Sequence, residues 1–211
     1  MATYRLGTWA AGAVAAIGLA YVAALIAGFM QVGFDKPIGD PVLAVMEGLT
    51  LLSALAVVIA TAAIHHHAAA ERKIFGVLAL VFTVVFAGIT STVHFVELTA
   101  SRQLGVGEIA WPAATYAAEL LAWDWFLGLA LIFAAPVFVG GGAERLLRRA
   151  LLLSGVLALA GTVGPLVGDM RLQRIGILGY AVVLPFAFFL LARFFRDQLI
   201  AAAKAAPDNL L

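Results

Sequence analysis

Residues 74–98 read IFGVLALVFTVVFAGITSTVHFVEL, and this stretch decides the fold. It holds no Lys, Arg or Asp, and its one carboxylate, Glu97, stands next to its end. A bilayer's hydrocarbon core of ~30 Å is crossed by roughly 20 apolar residues in an α-helix. The apolar positions are continuous rather than alternating, which selects a helix over a barrel strand. Working outward, five further runs have the same character, giving spans at about 8–30, 42–64, 74–98, 112–139, 147–167 and 174–195. The first follows Arg5 and is too long for a signal peptide, so it reads as a retained span.

Composition agrees. The 211 residues are 64% hydrophobic and 12% charged, with a mean hydropathy of +1.06. Ordinary soluble domains are nearer ~45–50% apolar and ~25% charged. A cytosolic globular enzyme and a disordered chain are therefore excluded, and the lack of cysteine excludes a disulfide scaffold. The net charge of +1, spread along the chain, offers no surface for nucleic acid.

Basic residues orient the spans. Arg5, Arg72, Lys73, Arg145, Arg148, Arg149, Arg193, Arg196 and Lys204 fall on one side, against Lys36, Arg102, Arg171 and Arg174 on the other. The sequence thus predicts an all-α polytopic transmembrane helix bundle with six spans and both termini cytoplasmic. Residues 1–195 form one six-helix transmembrane domain, and 196–211 a short cytoplasmic interfacial tail. Asp40 before Pro41 reads as a helix cap, Trp111-Pro112 opens the fourth span, and Gly140-Gly141-Gly142 ends it. Gly161, Gly164 and Gly168 suit close helix approach, within the bundle or on a dimer face.

Ionisable residues inside spans cost about 2.5–3.5 kcal/mol at mid-helix and are functional candidates by default. Under this topology Asp40, Glu47, His94, Glu97, Glu119, Asp124, Asp169, Arg171 and Arg174 all lie in the outer half or outer loops. On the third span Thr83, Ala87, Thr90, His94 and Glu97 fall within an arc of about 80° at ~100° per residue. Glu47, Thr50 and Thr61 share a face of the second span, and Tyr116, Glu119 and Trp123 one of the fourth, each about 60° wide. These stripes are expected to face one another around an outward-facing polar pocket. Glu119, His94, Glu97 and Glu47 are the candidate catalytic residues, with His94 and Glu97 forming an acid/base pair. Trp123, Trp125, Tyr116, Arg171 and Arg174 are the candidate substrate-binding residues. The two tryptophans would stabilise positive charge, and Arg171 and Arg174 with Asp169 would form a lid able to grip a carboxylate. Asp124, about 140° from Glu119, should face another neighbour, and with Asp169 it is read as structurally polar.

His65-His66-His67 cannot converge on one metal, since consecutive helical residues point ~100° apart. It reads as a solvated, headgroup-facing rim. No metal or cofactor is expected, and no nucleotide-binding, serine-hydrolase or zinc-protease motif is present.

Three phrases, GITSTVHFVELT at 88–99, ELLAWDWFLGLALIFAAPVF at 119–138 and GPLVGDMRLQRIGILGYAV at 164–182, resemble stretches in a group of uncharacterised bacterial integral membrane proteins of about this size. That resemblance covers the second to sixth spans and implies six spans in a bacterial inner membrane. The placing of His and Glu on one helix and of Glu and Trp on another is similar to the emopamil-binding and sterol-isomerase type of membrane enzyme. Here His94 and Glu97 are spaced three apart rather than four, and a later Asn/Trp element is absent. This likeness implies isomerase-like acid/base chemistry on an isoprenoid or sterol-like lipid. Two other functions fit the same polar stripes: a non-catalytic accessory or sensor subunit of a membrane complex, and a proton- or ion-coupled transporter. The expected partners are membrane lipids and a lipophilic small molecule, with a second copy or a membrane-complex subunit as protein partner.

Overall fold

The computed structural model describes residues 1–33, 36, 38–105 and 111–205. Among them there is no strand. Six helices are long and apolar enough to cross a membrane: α1 (Ala2–Val32), α2 (Val42–His67), α3 (Ala70–Leu104), α4 (Ala114–Val137), α5 (Gly142–Val167) and α6 (Met170–Ala205). All six are at or near the positions expected from hydropathy. α6 runs further than expected and absorbs the first part of the 196–211 tail, whose last residues lie outside the described chain.

The helix ends follow from side chains that satisfy orphan backbone groups. Asp40 Oδ1 accepts from the Ala44 amide at 3.1 Å in the first turn of α2. At the other end of α2, Lys73 Nζ donates to the carbonyls of His65 and His66 at 2.9 and 3.0 Å. Gly168, at φ +73°, terminates α5, and Asp169 Oδ1 then accepts from the Arg171 amide at 2.9 Å to open α6. Gly142 begins α5 rather than ending α4, which closes in a tight turn at Ala135–Val137 around Pro136.

Each helix packs against its neighbours in the chain, and α6 returns to pack against α1, so the six form a closed ring. Small residues make the close contacts, since dense van der Waals packing drives helix association in lipid. A Cβ at Gly155 would lie 2.6 Å from the Gly128 carbonyl oxygen, and one at Gly161 would lie 2.8 Å from the Gly176 Cα. Gly164 abuts Gln173. Two of the three glycines at 161–168 therefore pack inside the bundle.

Phe86 and Phe188 are fully buried at mid-bundle, and Phe138 and Phe195 at the end that carries the termini. That end differs from expectation at the histidine run. Only His66 is exposed. The His67 ring stacks on Phe138 at 6.2 Å and meets the edge of Phe194 at 4.9 Å, with its Nδ1 3.3 Å from the Tyr4 hydroxyl. A histidine stripe on an amphipathic rim thus supplies one aromatic plug to the core.

At the opposite end three helices widen into π-helical turns, at Glu97–Ser101 in α3, Leu121–Leu127 in α4 and Leu178–Val183 in α6. The third lies just before Pro185, which has no N–H to continue the regular ladder. There Ser154 of α5 donates to the Gly179 carbonyl at 2.9 Å.

Candidate functional site

Between the helices, at the end away from the termini, lies a cavity of about 550 Å³. Its wall is drawn from α1, α2, α3, α4 and α6, while α5 contributes nothing to it. Much of the lining is aliphatic or aromatic, including Tyr21, Trp111, Tyr116, Trp123 and Tyr180. Three carboxyl side chains, Glu47, Glu97 and Glu119, stand in the wall with His94 and Lys36. A volume of ~300–1,000 Å³ with few polar groups is what small-molecule sites offer.

Glu119 Oε1 is the focus of one cluster. Thr90 Oγ1 donates to it at 2.7 Å, His94 Nε2 lies 2.8 Å away, and Trp123 donates its indole N–H from one turn along α4. The indole N–H is shared with Thr90 Oγ1 at 3.1 Å. Oε1 already accepts from an indole and a hydroxyl, so the histidine nitrogen facing it is the N–H one. The other carboxylate oxygen, Oε2, and the other ring nitrogen, His94 Nδ1, are buried and take no hydrogen bond from the described residues. A proton carried by Glu119 therefore belongs on Oε2.

A second cluster is built on Arg102. Its Nε and Nη2 grip the two oxygens of Asp40 at 2.8 and 2.7 Å. Its Nη1 reaches Glu47 Oε2 at 2.7 Å and the Glu97 carbonyl at 2.6 Å. This fork joins the α1–α2 connection, α2 and the end of α3. Two-point guanidinium–carboxylate pairing fixes geometry as well as charge. The guanidinium holds the exposed Asp40 carboxyl below the usual carboxylate range.

A third cluster lies deeper. Asp124 is completely buried, and its Oδ2 accepts from Gln173 Nε2 at 3.3 Å. The same nitrogen donates to the Tyr180 hydroxyl at 2.8 Å. The Tyr180 ring lies 5.1 Å from that of Trp123, so the first and third clusters meet across the cavity wall. Asp124 does face a different neighbour from Glu119, as its helical angle requires.

The structure brings Glu47, His94, Glu97, Tyr116, Glu119 and Trp123 to one cavity. It does not pair His94 with Glu97: His94 reaches across to Glu119, while Glu97 Oε1 accepts from Ser101 at 2.8 Å. Trp125 is 45% exposed on the outside of the bundle and does not line the cavity. It is adjacent in sequence to Asp124, but the turn of the helix aims it away. Arg171 and Arg174 are likewise exposed and outside the lining, and Asp169 serves as a helix cap, so these three form no lid. The guanidinium at the site is that of Arg102. Tyr21, Gln173 and Tyr180 were also not anticipated. A tyrosine or glutamine in an apolar run carries no charge to single it out. Among the described residues no group of three or more His, Asp or Glu is arranged to hold a metal ion.

No family model, curated protein or solved structure matches the chain.

Proposed function

We propose that this multi-pass membrane protein is an enzyme that receives a lipophilic molecule, isoprenoid- or sterol-like, in its cavity and moves a proton on it. The observation that carries this reading is the Glu119 cluster: one carboxylate oxygen held by Thr90, His94 and Trp123, the other without a partner among the described residues, in the wall of a largely apolar chamber. Delivery of a proton from Oε2 to an unsaturated carbon leaves a carboxylate whose charge the three donors stabilise. Loss of a proton from a neighbouring carbon of the substrate to Oε2 restores the acid and leaves the double bond shifted. Trp123 stands in the chamber wall, where an aromatic ring stabilises a positively charged intermediate. The nine-to-four distribution of basic residues supports cytoplasmic termini and a chamber at the outer leaflet, and a bacterial inner membrane rests on the resemblance of residues 88–99, 119–138 and 164–182 alone. A transport pathway is less well supported, because the end bearing the termini is closed by packed Phe138, Phe194 and Phe195.

Deuterium transfer tests the proposal. Protein in lipid nanodiscs is incubated with bacterial lipid extract in heavy water, and the lipids are analysed by mass spectrometry. The wild-type chain should place deuterium on carbon in one lipid species, and Glu119→Gln should abolish this. Equal labelling by both proteins, or none by the wild type, overturns it.

A further inference from the structure

The Asp124–Gln173–Tyr180 chain takes no part in the proton transfer proposed above, yet it ends at the cavity. Gln173 is 3% exposed and its amide nitrogen has two hydrogens. One is directed at Asp124 Oδ2 and the other at the Tyr180 oxygen. The amide thus turns its nitrogen, not its oxygen, towards both partners. The Tyr180 oxygen is consequently an acceptor towards Gln173. Its own hydrogen remains unspent: no second hydrogen bond to Tyr180 is made among the described residues. Tyr180 lines the chamber, as does Glu119.

We infer that Tyr180 is the donor that takes an acceptor oxygen of the ligand, so that the molecule received is an oxygen-bearing lipid (an alcohol or ketone) rather than a hydrocarbon. Asp124 and Gln173 are positioning residues that aim this phenol. The inference rests on the reading of the cavity as a lipid chamber and adds the polar group by which the lipid is held. A buried donor left without an acceptor is costly, so such a site selects against ligands lacking the oxygen more strongly than an apolar pocket selects for a methylene.

The test uses three probes of similar shape, the ketone farnesylacetone, the alcohol farnesol and the hydrocarbon farnesene, titrated into the full chain in nanodiscs by tryptophan fluorescence. The ketone is decisive because it can only accept. Farnesylacetone and farnesol should bind about fivefold tighter than farnesene. Tyr180→Phe should remove that preference while keeping farnesene affinity, and Tyr4→Phe, at the opposite end of the bundle, should leave it intact. Gln173→Met, which frees the phenol to rotate, should reduce the preference without changing farnesene binding, an effect that a purely structural role would not produce. Equal affinity of the wild type for ketone and hydrocarbon, or a preference that survives Tyr180→Phe, overturns the assignment and leaves the chamber reading standing. Failure of all three probes to bind the wild type overturns both.

Discussion

Arg102 holds its place by geometry more than by charge alone. Glu47 is 3% exposed, and a carboxylate so far from water is tolerable only with a partner. Removing that partner leaves the charge buried, so Arg102→Met should destabilise the protein by about 3 kcal/mol in thermal unfolding, and adding Glu47→Leu should recover most of the loss. Asp40, at the water-facing end of the same fork, responds differently. Its carboxyl is held low by the guanidinium, so its contribution is present throughout the range above the ordinary carboxylate pKa of ~3.9 and is lost as pH falls through the lowered value. Amide exchange at Val42–Val45 should therefore accelerate on strong acidification, and Asp40→Asn should remove this acid dependence. The cap at Asp40 was legible in the sequence, but the Arg102 fork was not. Arg102 sits 55 residues from Glu47 and 62 from Asp40, and no local pattern links them. Arg171 and Arg174 attracted attention because they neighbour an acidic residue in a short connection. By contrast, Glu119 and Trp123, one helical turn apart, and the Thr90–His94 stripe were legible, because both depend only on spacing within one helix.

At the scale of elements, the three π-helical turns each carry a cavity or network residue: Glu97, then Trp123 and Asp124, then Tyr180. A widened turn rotates the side chains that follow it, and such turns are frequent at functional sites. Arithmetic at ~100° per residue cannot anticipate them. The expected His94–Glu97 pairing fails for a different reason: His94 is taken by Glu119 of the facing helix, and Glu97 accepts from Ser101. The wide turns of α4 and α6 pack against α5, and that of α3 packs against α2. Asp124 Oδ1 lies against Gly161 and Gly176, where a methyl group on Gly176 would collide with the carboxylate. Gly176→Ala should cost about 2 kcal/mol in thermal unfolding and shift the Asp124–Gln173 contact. Ser154→Ala removes one of two donors to the Gly179 carbonyl, which keeps the Leu184 amide, and should cost about 0.6 kcal/mol in thermal unfolding.

For the whole molecule, the number and place of the spans were readable because each needs only its own hydropathy. The polar stripes grouped the second, third and fourth spans, but where the first, fifth and sixth pack was not readable, since almost all of their surface is apolar. The orientation inferred from basic residues can be measured directly, because the chain has no cysteine to confuse labelling. With single substitutions, Ala113→Cys at the cavity end should react with a membrane-impermeant maleimide in intact cells, and Ala70→Cys at the opposite end should react only after lysis. The reverse pattern would place the chamber in the inner leaflet.

Closure of the ring through α1 and α6 has a bearing on biogenesis. α1 contributes Tyr21 to the chamber, and α6, synthesised after the other five helices, contributes Gln173 and Tyr180. The carboxylates carried by the segments between them are thus synthesised before their final wall exists. Until the sixth helix arrives they must be sheltered by water, by the insertion machinery or by one another, so nascent chains halted after five helices are the species most exposed to quality-control proteolysis.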